Sequence, residues 1–428
     1  MTTRRIEVPV LTRVEGEGAL HVRIEGRAIT DLRLRIFEPP RFFEKFLEGR
    51  TWKEVPDVTA RICGICPVAY QMSAVHAIEK IFGAAITPEI RDLRRLYYCG
   101  EWIESHALHI HLLAAPDFFG YPDAIAMARE YPTEVKRGMH LQAIGNDLVK
   151  LLGGRPVNPV GARPGGFYRA PEKGEVDAML KRCRDALPAV AGMVRWTAGV
   201  KVPEVIREVP WVAMRHPDEY PMNEGRIVSD TGLDIDAEDF EKHFTEFQAP
   251  HSTALHAHLD GQPYWVGPVP RLNLNLDRLP PETEKLLRET GVAWPSPNPY
   301  HGMLARAIEV HVAFIEAIRI LERYRRPAKG YVEVTPRAGT AAAVTEAPRG
   351  ILWHRYTLDE RGDVVHAHIV PPTSQNQAAM EADLYQSVQE ALDLDDAALT
   401  TRLEAAIRNY DPCISCATHF LKLTVERT

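Results

Sequence analysis

The chain has 428 residues, of which 45% are apolar and 25% charged, and a formal net charge of −7. This is the balance of an ordinary globular protein, and its interspersed charges offer no basic stripe for nucleic acid or an anionic membrane. No apolar run reaches the roughly 18–20 residues of a membrane span, and none follows Arg4-Arg5 as a secretory signal requires, so neither direct membrane insertion nor export is expected.

Residues 1–40 read as strands. Ile6, Val8 and Val10, then Leu20, Val22 and Ile24, then Leu32, Leu34 and Ile36 alternate with polar neighbours, and Gly16, Gly18 and Gly26 break the runs. A period of two predicts a small antiparallel sheet. Within its first connection, Thr12-Arg13-Val14-Glu15-Gly16 places a carboxylate among flexible glycines. By itself Glu15 reads as part of a surface turn. Arg41 to Arg50 forms a short helix ended by Gly49. Its Glu44 follows two aromatics and, if buried, needs a cation.

Arg61-Ile62-Cys63-Gly64-Ile65-Cys66-Pro67 carries a Cys-x-x-Cys pair. Pro67 opens a helix that continues from Ala69 to Ile81, so the cysteines precede a helix N-terminus, whose dipole favours thiolates. Helical runs follow over Glu89–Ala115, Asp123–Leu152 and Glu172–Gly199, which predicts a helical bundle. His106 and His109 share a helix face, with His111 nearby, but no cysteine or acidic cluster accompanies them, so all three are read as packing residues. The glycines of Gly153-Gly154 and Gly161 to Gly166 lack the strand-then-helix frame of a phosphate loop.

Residues 200–280 show no clear period. Helix returns from Asn298 to about Arg325, strand-like alternation runs from Ile351 to Ile369, and Pro371 to Asn376 is expected to cap a helix starting near Ala378. A last helix, Asp396–Arg408, leads to Asp411-Pro412-Cys413-Ile414-Ser415-Cys416-Ala417-Thr418-His419. The expected fold is mainly α (α+β), a central helical bundle with small peripheral antiparallel sheets, the two chain ends meeting at a buried metal site. Residues 1–428 are expected to form one interwoven domain. Its parts are a β region (1–40), a mostly helical body (41–325), a β-containing region (326–376), and C-terminal helices with the metal motif (377–428).

Four of the six cysteines lie in the two pairs, about 350 residues apart, while Cys99 and Cys183 stand alone in helical contexts and read as buried thiols. A reducing compartment without disulfides follows. A two-residue spacer turns both sulfurs of a pair to one side, and four thiolates suit zinc, an iron–sulfur cluster, or nickel with iron. Structural zinc usually draws its pairs from within about 15–20 residues, and dithiol redox chemistry needs only one pair. The spacing therefore points to a metal centre clamped between the chain ends.

Seven blocks, in order and spanning almost the whole chain, make the sequence resemble the catalytic large subunit of nickel–iron hydrogenases. They are Thr12 to Gly16, Arg41 to Arg50, Arg61 to Cys66, Ser105-His106-Ala107-Leu108-His109, Glu346-Ala347-Pro348-Arg349-Gly350, Ile369 to Asn376, and Asp411 to His419. The resemblance implies a nickel–iron centre whose iron carries carbon monoxide and cyanide. Cys63 and Cys413 would be terminal nickel ligands, with Cys66 and Cys416 bridging to iron. Hydrogen would be cleaved heterolytically, its proton passing from Cys413 to Glu15. Arg349, with Pro348 beside it, would lie over the metals and bond a cyanide, and Asp411 would hold Arg349 in place. Thr373 would bond the other cyanide. Glu44, His419 and a backbone carbonyl near Ile369 would hold a second cation, magnesium or another divalent ion.

Three positions depart from the family pattern. Tyr70 stands where a histidine is common, Ser105 where many uptake enzymes have aspartate, and Asn158 where another histidine is common. Phe420 to Thr428 follow His419, where many members are cut on maturation, so either this branch keeps its tail or the chain is a precursor. With its paired cysteines committed, the chain would hold no iron–sulfur cluster and would need an iron–sulfur small subunit. The pattern looks most like cytoplasmic, reversible members that join hydrogen to NAD(P) through flavin-bearing diaphorase subunits. Ferredoxin- or heterodisulfide-linked modules are the nearest rival. The further alternatives are a hydrogen sensor, a structural zinc protein and a redox-inactive relative of the quinone-site subunit of complex I.

Overall fold

A computed structural model describes residues 3–418. Strands β1 (Thr3–Val8), β2 (Gly18–Glu25) and β3 (Ala28–Ile36) form an antiparallel meander in that order. Ile6, Val8, Leu20, Val22, Ile24, Leu34 and Ile36 are its buried face, as the alternation predicts. Helix α1 (Phe43–Leu47) is followed by Gly49 at φ 77°, and Pro67 does open α2 (Pro67–Phe82).

The bundle is built from α3 (Pro88–Leu108), α4 (Pro132–Gly153), α5 (Lys173–Ala198) and α6 (Gly302–Arg323). α6 is buried along nearly its whole length and packs on α3 and α5. α3 and α4 approach closely because glycines meet. A Cβ on Gly145 would collide with the Glu104 backbone and lie 2.7 Å from the Gly100 carbonyl, and one on Gly100 would meet Leu148 at 2.9 Å. Two expected runs are not single α-helices. α3 passes into a π-helical turn over His109–Ala114, and a short helix at Ala124–Met127 precedes α4, which Pro132 opens.

The stretch without a clear period contains a three-stranded sheet (Val212–Arg215, Arg226–Ser229, Asp234–Ile235) and a hairpin of β4 (Phe244–Gln248) and β5 (Leu255–Leu259). Farther on, β6 (Gly339–Ala347), β7 (Gly350–Leu358) and β8 (Val364–Val370) make an antiparallel sheet. It is followed by α7 (Pro372–Glu390), α8 (Asp396–Tyr410) and the one-turn α9 (Ile414–Ala417). α7 begins at Pro372 rather than near Ala378. Proline suits a first helical position because its missing N–H would have no partner there. Thr373 to Asn376 are thus the first turn, not a cap, and no side chain caps this end.

The termini are joined backbone to backbone. Glu15 pairs with Cys413 in an isolated parallel bridge, and Ile414 N–H donates to the Glu15 carbonyl at 2.9 Å. Gly16 (φ 91°) makes this approach possible, because a Cβ there would lie 2.6 Å from the Ile414 side chain. Arg41 adds a second tie. Its N–H donates to the Thr418 carbonyl at 3.0 Å, and its guanidinium reaches the carbonyls of Ile62 (2.5 Å) and Ser415. Arg408 adds a third through the Thr12 carbonyl at 2.8 Å. One hydrophobic cluster runs from the N-terminal sheet through the bundle to Cys413–Ala417. Burial on that scale, at roughly 25 cal/mol per Å², drives the ends together.

Candidate metal centre

Each cysteine pair sits at the start of a helix. Cys66 is the residue before α2, and Cys413 the residue before α9. The four sulfurs meet. Sγ atoms are 2.6 Å apart for Cys63–Cys66, 2.7 Å for Cys413–Cys416, 3.4 Å for Cys63–Cys413 and 3.7 Å for Cys66–Cys416. All four lie within 4.8 Å of one another, none is in a disulfide, and none is more than 2% exposed. A metal with thiolates at about 2.3 Å holds tetrahedral sulfurs roughly 3.7 Å apart, close to the two distances across the pairs.

The helix dipole does not act as expected. The first-turn N–H groups of α2 are taken by Glu101 of α3, whose carboxylate accepts from Val68 at 2.5 Å and Ala69 at 3.1 Å. Backbone donors reach Cys63 instead, from Ile65 at 3.3 Å and Cys66 at 3.0 Å. Burial opposes ionisation of Cys63, but hydrogen bonds from the other three sulfurs and the Arg349 charge hold it well below the ordinary thiol value. Burial, with the neighbouring sulfurs, pushes Cys413 well above it, and Cys66 rises as well. Four thiolates this close repel one another, so the full set ionises only around a cation. The donor set therefore fits a buried soft-metal centre.

Around the sulfurs, Glu15 Oε2 accepts from Ser415 N–H at 3.0 Å and lies 3.2 Å from Cys413 Sγ. Burial, and then the Cys63 charge, raise its pKa. Arg349, 2% exposed, donates Nε to the Asp411 carbonyl at 2.7 Å and Nη2 to Asp411 Oδ1 at 2.9 Å. Its Nη1 reaches Ser105 Oγ at 3.4 Å. Burial alone would raise the Asp411 carboxyl, but Arg349, His109 and Arg306 hold it below the usual range. Thr373 Oγ1 accepts the Cys413 N–H at 3.0 Å, leaving its own hydrogen for another partner. Tyr70 is fully buried, and burial followed by the Cys416 and Cys66 charges raises its phenol far above normal. Asn158 lies in a loop at φ 45°, its carbonyl accepting from Arg155 at 2.6 Å.

Glu44 is buried, and its Oε1 accepts the Ile369 N–H at 2.7 Å. His419, the third member of the expected second site, lies outside the described residues. His106 bonds Glu309 at 2.9 Å and His109 the Arg408 carbonyl at 2.8 Å, both as packing groups.

Sequence reading missed three residues. Glu101 is one. Arg271 is another, fully buried with its guanidinium 4.2 Å from the Trp102 ring. It ties Glu309 (2.7 Å) and Glu346 (2.6 Å) to the carbonyls of Ala347 (2.9 Å) and Pro348 (3.2 Å), fixing the loop that carries Arg349. Arg306, 3.9 Å from Asp411, is the third. None sits in a cysteine or glycine motif, so only the fold reveals them.

The helical body with small antiparallel sheets and a buried four-cysteine cluster defines the large subunit of a metalloenzyme. The nickel-dependent hydrogenase family matches residues 41–143 and 255–419, more than half of the chain. The alpha chain of sulfhydrogenase 2 from Pyrococcus furiosus is 34% identical over 98% of this chain and 100% of its own length. An F420-non-reducing hydrogenase chain from Methanothermobacter marburgensis is 30% identical over 97% of this chain and 94% of its own. A crystal structure of an NAD+-reducing NiFe hydrogenase in the H2-reduced state superposes with a TM-score of 0.84 at 27% identity, covering 97% of this chain and 99% of that one. The chain belongs to the nickel-dependent hydrogenase family. It is a hydrogenase large subunit, and its four-cysteine cluster fits a nickel–iron site.

Proposed function

We propose that this chain catalyses the reversible heterolytic cleavage of H2 and passes the electrons to an iron–sulfur small subunit. Cys63, Cys66, Cys413 and Cys416 would hold the nickel–iron centre, Cys63 and Cys413 as nickel ligands and Cys66 and Cys416 as ligands to both nickel and an iron carrying carbon monoxide and cyanide. When bound, that centre supplies the two-electron chemistry of H2 cleavage. The chain's own groups handle the proton and the orientation. Cys413 Sγ takes the proton and Glu15, 3.2 Å away, relays it. A buried carboxyl with a raised pKa suits that task near neutral pH. Arg349, its guanidinium fixed by Asp411, would face the bound centre, and the hydroxyl hydrogen of Thr373 would be available to a cyanide there. Glu44, the Ile369 carbonyl and His419 are assigned to a second, hard divalent cation such as magnesium.

The observation that carries this reading is the contact of Glu15 with Cys413 beside a cluster of four buried sulfurs. For the acceptor, we infer NAD(P) through flavin-bearing diaphorase subunits in the cytoplasm, supported by the likeness to the NAD+-reducing enzyme. Among the described residues, no helix is long and apolar enough to cross a membrane. A second reading is a module feeding ferredoxin or heterodisulfide reduction; the likeness to an F420-non-reducing hydrogenase chain is compatible with an acceptor other than NAD(P). Hydrogen/deuterium exchange by the assembled complex, with NAD+, NADP+ and ferredoxin each offered as acceptor, tests both parts. Formation of HD with NAD(P) reduction is expected. Absence of HD contradicts the hydrogenase reading, and HD with ferredoxin reduction alone contradicts the NAD(P) assignment.

A further inference from the structure

A second cluster of ligand-type side chains lies on another part of the molecule. It is made by His251 from the turn between β4 and β5, His256 from β5, and Glu381 from α7. Their ligand atoms all lie within 4.8 Å of one another. His251 Nε2 is 2.7 Å from Glu381 Oε1, which also accepts the Leu34 N–H from β3 at 3.0 Å. His256 Nε2 is 3.3 Å from Glu381 Oε2.

The buried histidine gives the cluster its meaning. His256 is 2% exposed, and neither of its ring nitrogens has a hydrogen-bond partner among the described residues. Its Nε2 lies beside Glu381 Oε2 at ion-pair distance but without the alignment of a hydrogen bond. An imidazole buried with both nitrogens unsatisfied is costly. If Glu381 served only as a hydrogen-bond acceptor for two rings, each N–H would aim at an oxygen. His251 aims its ring nitrogen at Oε1, whereas His256 meets Oε2 only at ion-pair distance and leaves Nδ1 with no partner among the described residues. Ligand atoms about 2.0–2.1 Å from a tetrahedral zinc lie roughly 3.3–3.4 Å apart, the separation of His256 Nε2 from Glu381 Oε2. A small shift of His251 from its 2.7 Å hydrogen bond would bring it to the same distance. The rings are held there by packing, with His256 5.5 Å from Phe247 and 5.9 Å from His251, centroid to centroid.

We propose that His251, His256 and Glu381 form a binding site for a zinc-type divalent cation, separate from the four-cysteine centre. Two imidazoles and one carboxylate are a recurrent zinc donor set, with water as fourth ligand. Imidazole and carboxylate donors of this kind suit borderline divalent cations, of which zinc is the representative. The side chains of His251 and Glu381 are 20% and 21% exposed, and His251 lines an open cavity of about 1030 Å³, so both cation and water have access. The site ties the N-terminal sheet, the β4–β5 hairpin and α7 at one point. α7 is also the helix whose first turn places Thr373 against the Cys413 backbone, so the cation acts as a staple behind the chain-end clamp.

The test uses the nickel-loaded complex, in which the four cysteines are occupied. Wild type, His251→Ala and Glu381→Gln are equilibrated with zinc chloride, freed of loose metal on a desalting column, and analysed for zinc and nickel together. Nickel content reports that each variant keeps its fold. Wild type is expected to retain one zinc per chain more than either variant, and zinc should raise the thermal midpoint of wild type only. Equal zinc retention in all three proteins, or an equal shift of their midpoints, would overturn the proposal. The hydrogenase reading stands or falls on nickel and HD formation and is untouched by either result.

Discussion

The two cysteine pairs share one spacing and have opposite surroundings. Around the first, backbone donors of Ile65 and Cys66 converge on Cys63. Burial opposes its ionisation but the other three sulfurs and the Arg349 charge favour it, while Cys66 beside it is pushed up. Around the second, Cys413 faces the carboxylate of Glu15, and burial with the adjacent sulfurs favours the protonated thiol. A Cys-x-x-Cys motif therefore specifies where two sulfurs point but not what each does. On the proposed reading the neighbours divide the labour, with Cys63 anchoring the metal and Cys413, beside Glu15, exchanging protons.

That division can be broken most severely at the sulfurs. Cys63→Ser or Cys416→Ser is expected to abolish nickel retention, read by elemental analysis, because a hydroxyl is a poor ligand for a soft metal. Unchanged nickel would remove either residue from the ligand set. Next in size is Glu15→Gln, expected to slow hydrogen/deuterium exchange by roughly 100- to 10,000-fold, the usual worth of a positioned acid–base group, with nickel content intact. Exchange at the wild-type rate would mean that protons leave Cys413 another way. Arg349→Lys should cost on the order of 100-fold in turnover, since an ammonium cannot span both the Asp411 carbonyl and its carboxylate. Wild-type kinetics would contradict the orienting role. The smallest effect is expected behind the first pair. Glu101→Ala should destabilise the protein by about 2 kcal/mol through loss of the cap on α2 and the cavity left behind. Glu101→Gln, which keeps an acceptor oxygen, should cost less than about 1 kcal/mol. Equal thermal midpoints for the two variants would dismiss Glu101 as a cap.

Much of this was legible in the sequence because it depends on local chemistry. The alternation of Ile6, Val8, Leu20 and Val22, the helix opening at Pro67 and the stop at Gly49 follow from backbone and packing rules over a few residues. The π-helical turn after Leu108 escaped because the period of a helix does not reveal it, and the early start of α7 escaped although Pro372 is the same local opening signal as Pro67. The strands between Val212 and Leu259 are five residues or shorter, too short for alternation to stand out. Glu15 shows the limit most clearly. Among its own neighbours it reads as a surface turn, and its partners Cys413 and Ser415 arrive about 400 residues later. Glu101 and Arg306 fall in expected helical runs and Arg271 in the stretch without a clear period, where nothing marks them until the fold buries them against opposite charges or open backbone groups.

Infrared spectroscopy of the purified complex, with nickel and iron measured on the same sample, tests most directly whether four sulfurs from the two chain ends hold one bimetallic centre. The account predicts absorption bands of metal-bound carbon monoxide and cyanide, one nickel per chain, and loss of both in Cys413→Ser. A spectrum without those bands, from protein carrying a single zinc among its four cysteines, would contradict it.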